Sequence, residues 1–74
     1  MNEINKLSHL INDGWDVKFY STPFKKSNND WSINYCWDAD LENIDHKSVL
    51  KFENPLDCIM DFINYAGKIK AITL

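Results

Sequence analysis

Residues 31–38 read Trp31-Ser32-Ile33-Asn34-Tyr35-Cys36-Trp37-Asp38, and this stretch decides the fold. Trp31, Ile33, Tyr35 and Trp37 alternate with Ser32, Asn34, Cys36 and Asp38, the period of two that a half-buried strand requires. One face of that strand is almost wholly aromatic, so it needs a partner layer on one side only. An antiparallel sheet covered on one face by helices meets that need.

Upstream, Trp15, Val17 and Phe19 alternate with Asp16, Lys18 and Tyr20, which predicts a strand over 15–22, ended by Ser21-Thr22-Pro23. Residues 23–30 read as a polar loop closing a hairpin, with Asn28-Asn29-Asp30 suited to a turn. Before it, Ile4, Leu7, Leu10 and Ile11 recur near helical spacing and Gly14 stands where a left-handed cap belongs, so residues 3–12 are expected to be helical. Downstream, Asp38-Ala39-Asp40-Leu41-Glu42-Asn43-Ile44-Asp45 carries four acids and no base and reads as an exposed turn. A third strand is expected from His46 to Phe52, with Leu50 and Phe52 inward.

Asn54-Pro55-Leu56-Asp57 combines a capping side chain, a proline suited to the first helical position and an acid at the positive end of the helix dipole. The helix it starts is expected to run to Ala66 and close at Gly67, and Ile69 to Leu74 reads as a short edge strand. The expected fold is a small two-layer α+β domain spanning residues 1–74. Its three- to four-stranded antiparallel sheet carries two helices on one face, in the order α-β-β-β-α with a possible short C-terminal strand.

At 74 residues the chain buries only roughly 60% of the surface it exposes when unfolded, so self-association would add stability. Three tryptophans, three tyrosines and four phenylalanines compensate in part. No run of about 18 apolar residues occurs, and Met1 to Lys6 lacks the apolar stretch of an export signal. Cytoplasmic localisation and two free thiols, Cys36 and Cys58, are the expectation.

Net charge is -3, with eight basic residues against eleven acids. All eight are lysine. Absent arginine weighs against phosphate recognition as the main task, although Asn-, Ile- and Lys-rich composition also accompanies AT-rich coding DNA.

The spacing of Asp38, Asp40 and Glu42 invites a calcium loop, but Asn43 stands where the loop glycine belongs and Val49 where its last carboxylate belongs, so no metal is expected. His9 and His46 lack ligand or triad spacing, neither cysteine has an evident base, and two glycines provide no phosphate-binding loop. No cofactor and no enzymatic activity are expected.

The helix-strand-strand-strand-helix order is similar to that of double-stranded RNA-binding domains, a resemblance of topology over most of the chain. It implies nucleic-acid binding, here through Lys25, Lys26, Lys47 and Lys51. Where that family places lysines at the start of its second helix, this chain has Asn54-Pro55-Leu56-Asp57 and then Asp61. Nucleic acid is therefore the alternative reading.

The leading expectation is a small, acidic, non-enzymatic protein-binding domain that acts stoichiometrically on a larger protein. In style it resembles phage-encoded inhibitors of host defence, immunity proteins and antitoxins. Trp15, Trp31, Trp37, Asp38, Asp40, Glu42 and Asp45 are the candidate partner-binding residues. The apolar side chains of helix 55–66 cover roughly 220° of its circumference, more than one sheet contact uses. Either the first helix covers the surplus or a second copy does. Met60, Ile63, Tyr65 and Ile72 are the candidate homodimer residues.

Overall fold

A computed structural model describes the backbone of residues 3–73 and the side chains of residues 3–69. Helix α1 (Glu3–Asn12) leads into strands β1 (Asp16–Ser27), β2 (Asp30–Leu41) and β3 (Ile44–Lys47), and helix α2 (Pro55–Thr73) follows. The three strands form one antiparallel sheet in the order β1-β2-β3, giving the α-β-β-β-α arrangement expected of a small α+β domain.

Local chemistry explains both helix boundaries at which the chain changes direction. Gly14 has φ 110° and ends α1, with its own N–H donating to Ile11 O and that of Trp15 donating to Leu10 O, both at 3.1 Å. These are the paired bonds of a left-handed helix cap. At the start of α2 the Leu56 N–H donates to Asn54 Oδ1 at 2.8 Å, so Asn54 is the cap that its sequence position implies.

The core is small and aromatic. Trp15, Trp37, Ala39, Cys58, Phe62 and Ala66 are buried, and Leu7, Leu10, Val17, Tyr35, Leu41, Phe52 and Ile69 pack around them. Cys58, Phe62 and Ala66 recur every four residues and form the spine of α2. Phe62 meets Trp15, Phe19 and Trp37 edge-on, at centroid distances of 5.4, 6.1 and 5.2 Å. Such edge-to-face contacts are the favoured geometry for aromatic pairs. Leu7 and Leu10 bring α1 against the same cluster, so the first helix covers part of the broad apolar surface of α2.

Four expectations from sequence are corrected. Pro23 does not end β1, which continues to Ser27. Tyr35 exchanges both backbone hydrogen bonds with Phe52, so its N–H and C=O point towards the β3 side of β2. Ser21, its partner on β1, therefore turns its own N–H and C=O away from β2, and by alternation so does Pro23. A proline is tolerated in a strand where its missing N–H would have faced an open edge.

The acid-rich stretch is likewise strand up to Leu41, because Trp37, Ala39 and Leu41 continue the inward alternation and leave Asp38 and Asp40 outside. Only Glu42 and Asn43 turn. Their φ values of 53° and 67° make a two-residue mirror-image turn between the paired residues Leu41 and Ile44. The first hairpin turn, at Asn28-Asn29, has no positive φ, and a bulge between Lys25 and Ser27 takes up the mismatch in twist.

The third strand is shorter than expected. It ends at Lys47; Ser48 still donates its N–H to Trp37 O at 3.0 Å and accepts the Trp37 N–H on Oγ at 3.2 Å, and Phe52 then regains pairing through a single bridge to Tyr35. Phe52 packs inward as anticipated, while Val49 and Leu50 are exposed.

Finally, α2 passes through Gly67 to Thr73, so 69–73 is helix and not an edge strand, while Leu74 lies outside the described residues. A mid-helix glycine costs roughly 1 kcal/mol relative to alanine, less than is gained by seating Ala66 and Ile69 against the core. A Cβ added at Gly67 would meet nothing within 4 Å. Gly67→Ala is accordingly expected to raise stability by about 0.5–1 kcal/mol in urea unfolding, whereas a true left-handed cap would lose stability on the same change.

Candidate functional site

Alternation assigns every strand residue to a face. The inner face of the sheet carries Trp15, Val17, Phe19, Trp37, Ala39 and His46 beneath α2, with Trp37 Nε1 donating to Asp61 Oδ2 at 2.8 Å. His46 Nδ1 lies 2.6 Å from Tyr65 Oη, and its ring leans on Trp15 at 5.4 Å. These polar atoms serve packing, since each joins a sheet residue to α2 or to the core.

The outer face bears the charge. Asp16 pairs with Asp40 and Asp40 with Asp45, so three carboxylates form one row across all three strands. The next row is Lys18, Asp38 and Lys47. Because Tyr35 directs its backbone bonds towards β3, the even-numbered residues of β2 do not, and Asp40 meets Asp45 at the closer type of antiparallel pair. Like charges placed directly opposite one another are unfavourable. The nearby cation Lys47 approaches Asp45 at 3.7 Å, and both side chains are well exposed.

Asp38 and Asp45 respond to this crowding. Asp38 holds its proton above the usual carboxylate range, chiefly through a hydrogen bond to Asp45, with partial desolvation and the charges of Asp45 and Asp40 adding to the shift and Lys47 opposing it. Asp45 is shifted below that range, first by the hydrogen bond it accepts from Asp38 and then by Lys47, against partial desolvation. As pH falls, Asp38 is the first of this pair to lose its charge.

Beyond the helices the β1-β2 hairpin continues as an arm. A 12-residue strand reaches roughly 40 Å, and the molecule measures 49 Å along its longest dimension. The inner face of the arm carries Ser21, Pro23, Ile33 and Trp31, of which Ile33 and Trp31 are exposed, Trp31 by 64%. Lys25 Nζ sits 6.0 Å from the Trp31 ring, at the outer limit of a cation–π contact. Lys26 pairs with Glu53 at 3.5 Å.

The residues singled out from sequence thus separate. Asp38, Asp40 and Asp45 come together on the outer face with Glu42 in the adjoining turn, and Trp31 is exposed on the arm. Trp15 and Trp37 are corrected: at 4% and 2% exposure they are core residues and offer a partner no surface. Ile63 and Tyr65 pack against the same core and Met60 is half-buried, so these three do not form an open face on α2. The side chain of Ile72 lies outside the described residues.

Asp16 belongs to the site and was not among the sequence candidates, because only strand register places it beside Asp40. Phe19 and Ile33 were missed as surface residues for the complementary reason: their alternation implies burial, and nothing in it tells where the helix cover stops.

No group of three or more His, Cys, Asp or Glu among the described residues has the geometry to hold a metal ion, and no described helix is long and apolar enough to cross a membrane. Cys36 and Cys58 are both free thiols. Burial, with smaller contributions from Cys36 and Asp61, pushes the Cys58 thiol up to about 11 from a usual 9.0. The thiolate is the nucleophilic form, so Cys58 is inert at neutral pH.

A raised thiol pKa in the folded state means that unfolding releases a proton once pH exceeds the unfolded value. Stability is therefore expected to be level up to about pH 9 and to decline towards about pH 11 as the unfolded form ionises first. Thermal melts of wild type and Cys58→Ala across that window check this, the alanine variant losing that part of the decline.

Comparison with protein-family models, curated proteins and solved structures finds no match to this chain.

Proposed function

We propose that the chain is a small non-enzymatic protein-binding domain, working as a homodimer in the cytoplasm. It antagonises a larger protein stoichiometrically by laying the outer face of its sheet on a basic surface. The observation that carries this reading is the row Asp16, Asp40 and Asp45, flanked by Asp38 and Glu42. Placing carboxylates directly opposite one another works against pairing of the strands, and no core contact requires it. A surface of this kind complements lysines and arginines, steers association and discriminates against acidic partners.

The basic surfaces it suits best are those that otherwise hold nucleic-acid phosphates. Side chains on neighbouring strands stand about 5 Å apart and those two residues along a strand about 7 Å apart, so the carboxylates form a compact anionic grid. An antagonist of this type belongs with the phage-encoded anti-defence proteins, or with immunity proteins and antitoxins, and in the first case would act in the host cytoplasm.

The test begins with affinity capture of the partner from the native cells and continues with the charge-reversed variant Asp38→Lys/Asp40→Lys/Glu42→Lys/Asp45→Lys. Titration of the captured partner is expected to show at least a 100-fold loss of affinity with the fold retained by circular dichroism. Unchanged affinity would reject the acidic-face reading. Fluorescence anisotropy with duplex RNA and DNA at low salt is expected to be flat, and steep salt-sensitive binding would replace the reading with direct nucleic-acid recognition.

A further inference from the structure

The backbone of β1 identifies a second surface. Its outer edge has no strand beside it among the described residues, and residues 18–23 are all exposed. Because Ser21 turns its backbone polar groups away from β2, so do Val17 and Phe19 on one side of it and Pro23 on the other. Val17, Phe19 and Ser21 therefore present three unused N–H donors and three carbonyl acceptors in sequence, and Pro23 interrupts the row. Proline and lysines are the usual protection of a sheet edge. Here Pro23, Lys25 and Lys26 protect the arm, while residues 17–21 carry a single lysine, Lys18, and no proline.

We infer that this chain dimerises by antiparallel pairing of β1 with β1 of a second copy, about a two-fold axis at Phe19. Pro23 selects the register. With Phe19 opposite Phe19, Val17 faces Ser21 in both directions, every open donor meets an acceptor, and both prolines fall outside the paired segment. Shifting the register by one pleat towards the arm forms no more hydrogen bonds, sets the Pro23 ring instead of an N–H against the Val17 carbonyl of the other copy and leaves that acceptor unmet. The chosen register forms about six hydrogen bonds, two for each facing pair. It also packs the two Phe19 rings, each 39% exposed in the single chain, across the axis.

Two further features fit a second copy as the occupant. The same register sets Lys18 of each copy opposite Tyr20 of the other and Asp16 opposite Thr22, so no like charges face each other across the paired segment. It also lays the arm of each copy, with its exposed Ile33 and Trp31, beside the helix-covered base of the other. The result is a six-stranded sheet whose outer face joins two copies of the acidic row. A partner with paired basic sites would then bind with avidity.

This dimer gives the homodimer of the proposed function its interface and rests on that reading only for its purpose. Charge reversal on the outer face reads partner binding and the β1 edge reads assembly, so either can fail without the other.

Amide hydrogen exchange on the wild-type chain, followed by NMR at low and high protein concentration, is the test. Val17, Phe19 and Ser21 amides are expected to slow at least tenfold at high concentration, while Lys18 and Tyr20, bonded to β2 throughout, stay level. In sedimentation analysis, Ser21→Pro removes an outward donor without touching the β1-β2 ladder and is expected to weaken the dimer at least 100-fold. If that variant fails to fold, Phe19→Asp, which sets like charges at the axis, gives the same reading. A wild-type chain that stays monomeric at high concentration overturns the inference, as does a dimer unmoved by these substitutions. Slowed Val17, Phe19 and Ser21 amides only in the presence of another protein would overturn it in favour of strand addition by that protein.

Discussion

Phe62→Ala is expected to cost about 3–5 kcal/mol, among the largest effects of any single substitution in the chain. Its ring has 0% exposure and is enclosed by Trp15 and Phe19, from the entry to β1 and from β1 itself, and by Trp37 of β2. Removing it opens a cavity that none of the three can refill, since the paired β1 and β2 backbones hold them in place. A domain of this length has a total stability of roughly 4–11 kcal/mol. The variant should therefore lose a large share of that margin, with a Tm lowered by some 15–30 °C. Urea or thermal unfolding checks this, and a cost below about 1 kcal/mol would mean that α2 does not dock on the sheet through Phe62.

The second large effect is at Trp37, where two contributions are separable. Its ring is 2% exposed and packs edge-on against Phe62 and tilted against Tyr65, and its indole N–H reaches Asp61 at 2.8 Å. Trp37→Ala should cost about 3–5 kcal/mol through lost packing. Trp37→Phe keeps much of the apolar contact and loses the hydrogen bond, which is worth roughly 1–2 kcal/mol to a partly solvated carboxylate. Combining Trp37→Phe with Asp61→Leu in a double-mutant cycle isolates that bond, and a coupling energy near zero would show it to be incidental.

Both predictions concern a core that was largely legible before the structure. The alternation of 31–37, the cap at Asn54 and the helix signal of 3–12 with Gly14 are local patterns, and local chemistry settles them. What could not be read depends on neighbours. Pro23 is a strand breaker only where its nitrogen faces a paired strand, and whether it does follows from register with β2. The acids of 38–45 suggest a turn in isolation, yet Ala39 and Leu41 between them continue the inner face that Trp37 begins. Gly67 has the form of a helix stop, but Ile69 beyond it finds the core and the helix continues. Trp15 and Trp37, expected as partner contacts because aromatics are enriched at interfaces, are instead buried in the core.

The candidate surface was half legible. Asp38, Asp40, Glu42 and Asp45 lie close together in the chain, and their clustering survives folding. Asp16 joins them only through pairing of β1 with β2, a contact across more than twenty residues. The open edge of β1 is less legible still, because it depends on which way each backbone amide points.

In the binding mode we propose, the outer face of the sheet is the partner surface. Chemical-shift mapping of the isotope-labelled wild-type chain, titrated with its captured partner, tests this most directly. The largest perturbations are expected at Asp16, Asp38, Asp40 and Asp45, weakening as salt is raised. Perturbations confined to α1 and α2, with the outer face of the sheet unchanged, would contradict it.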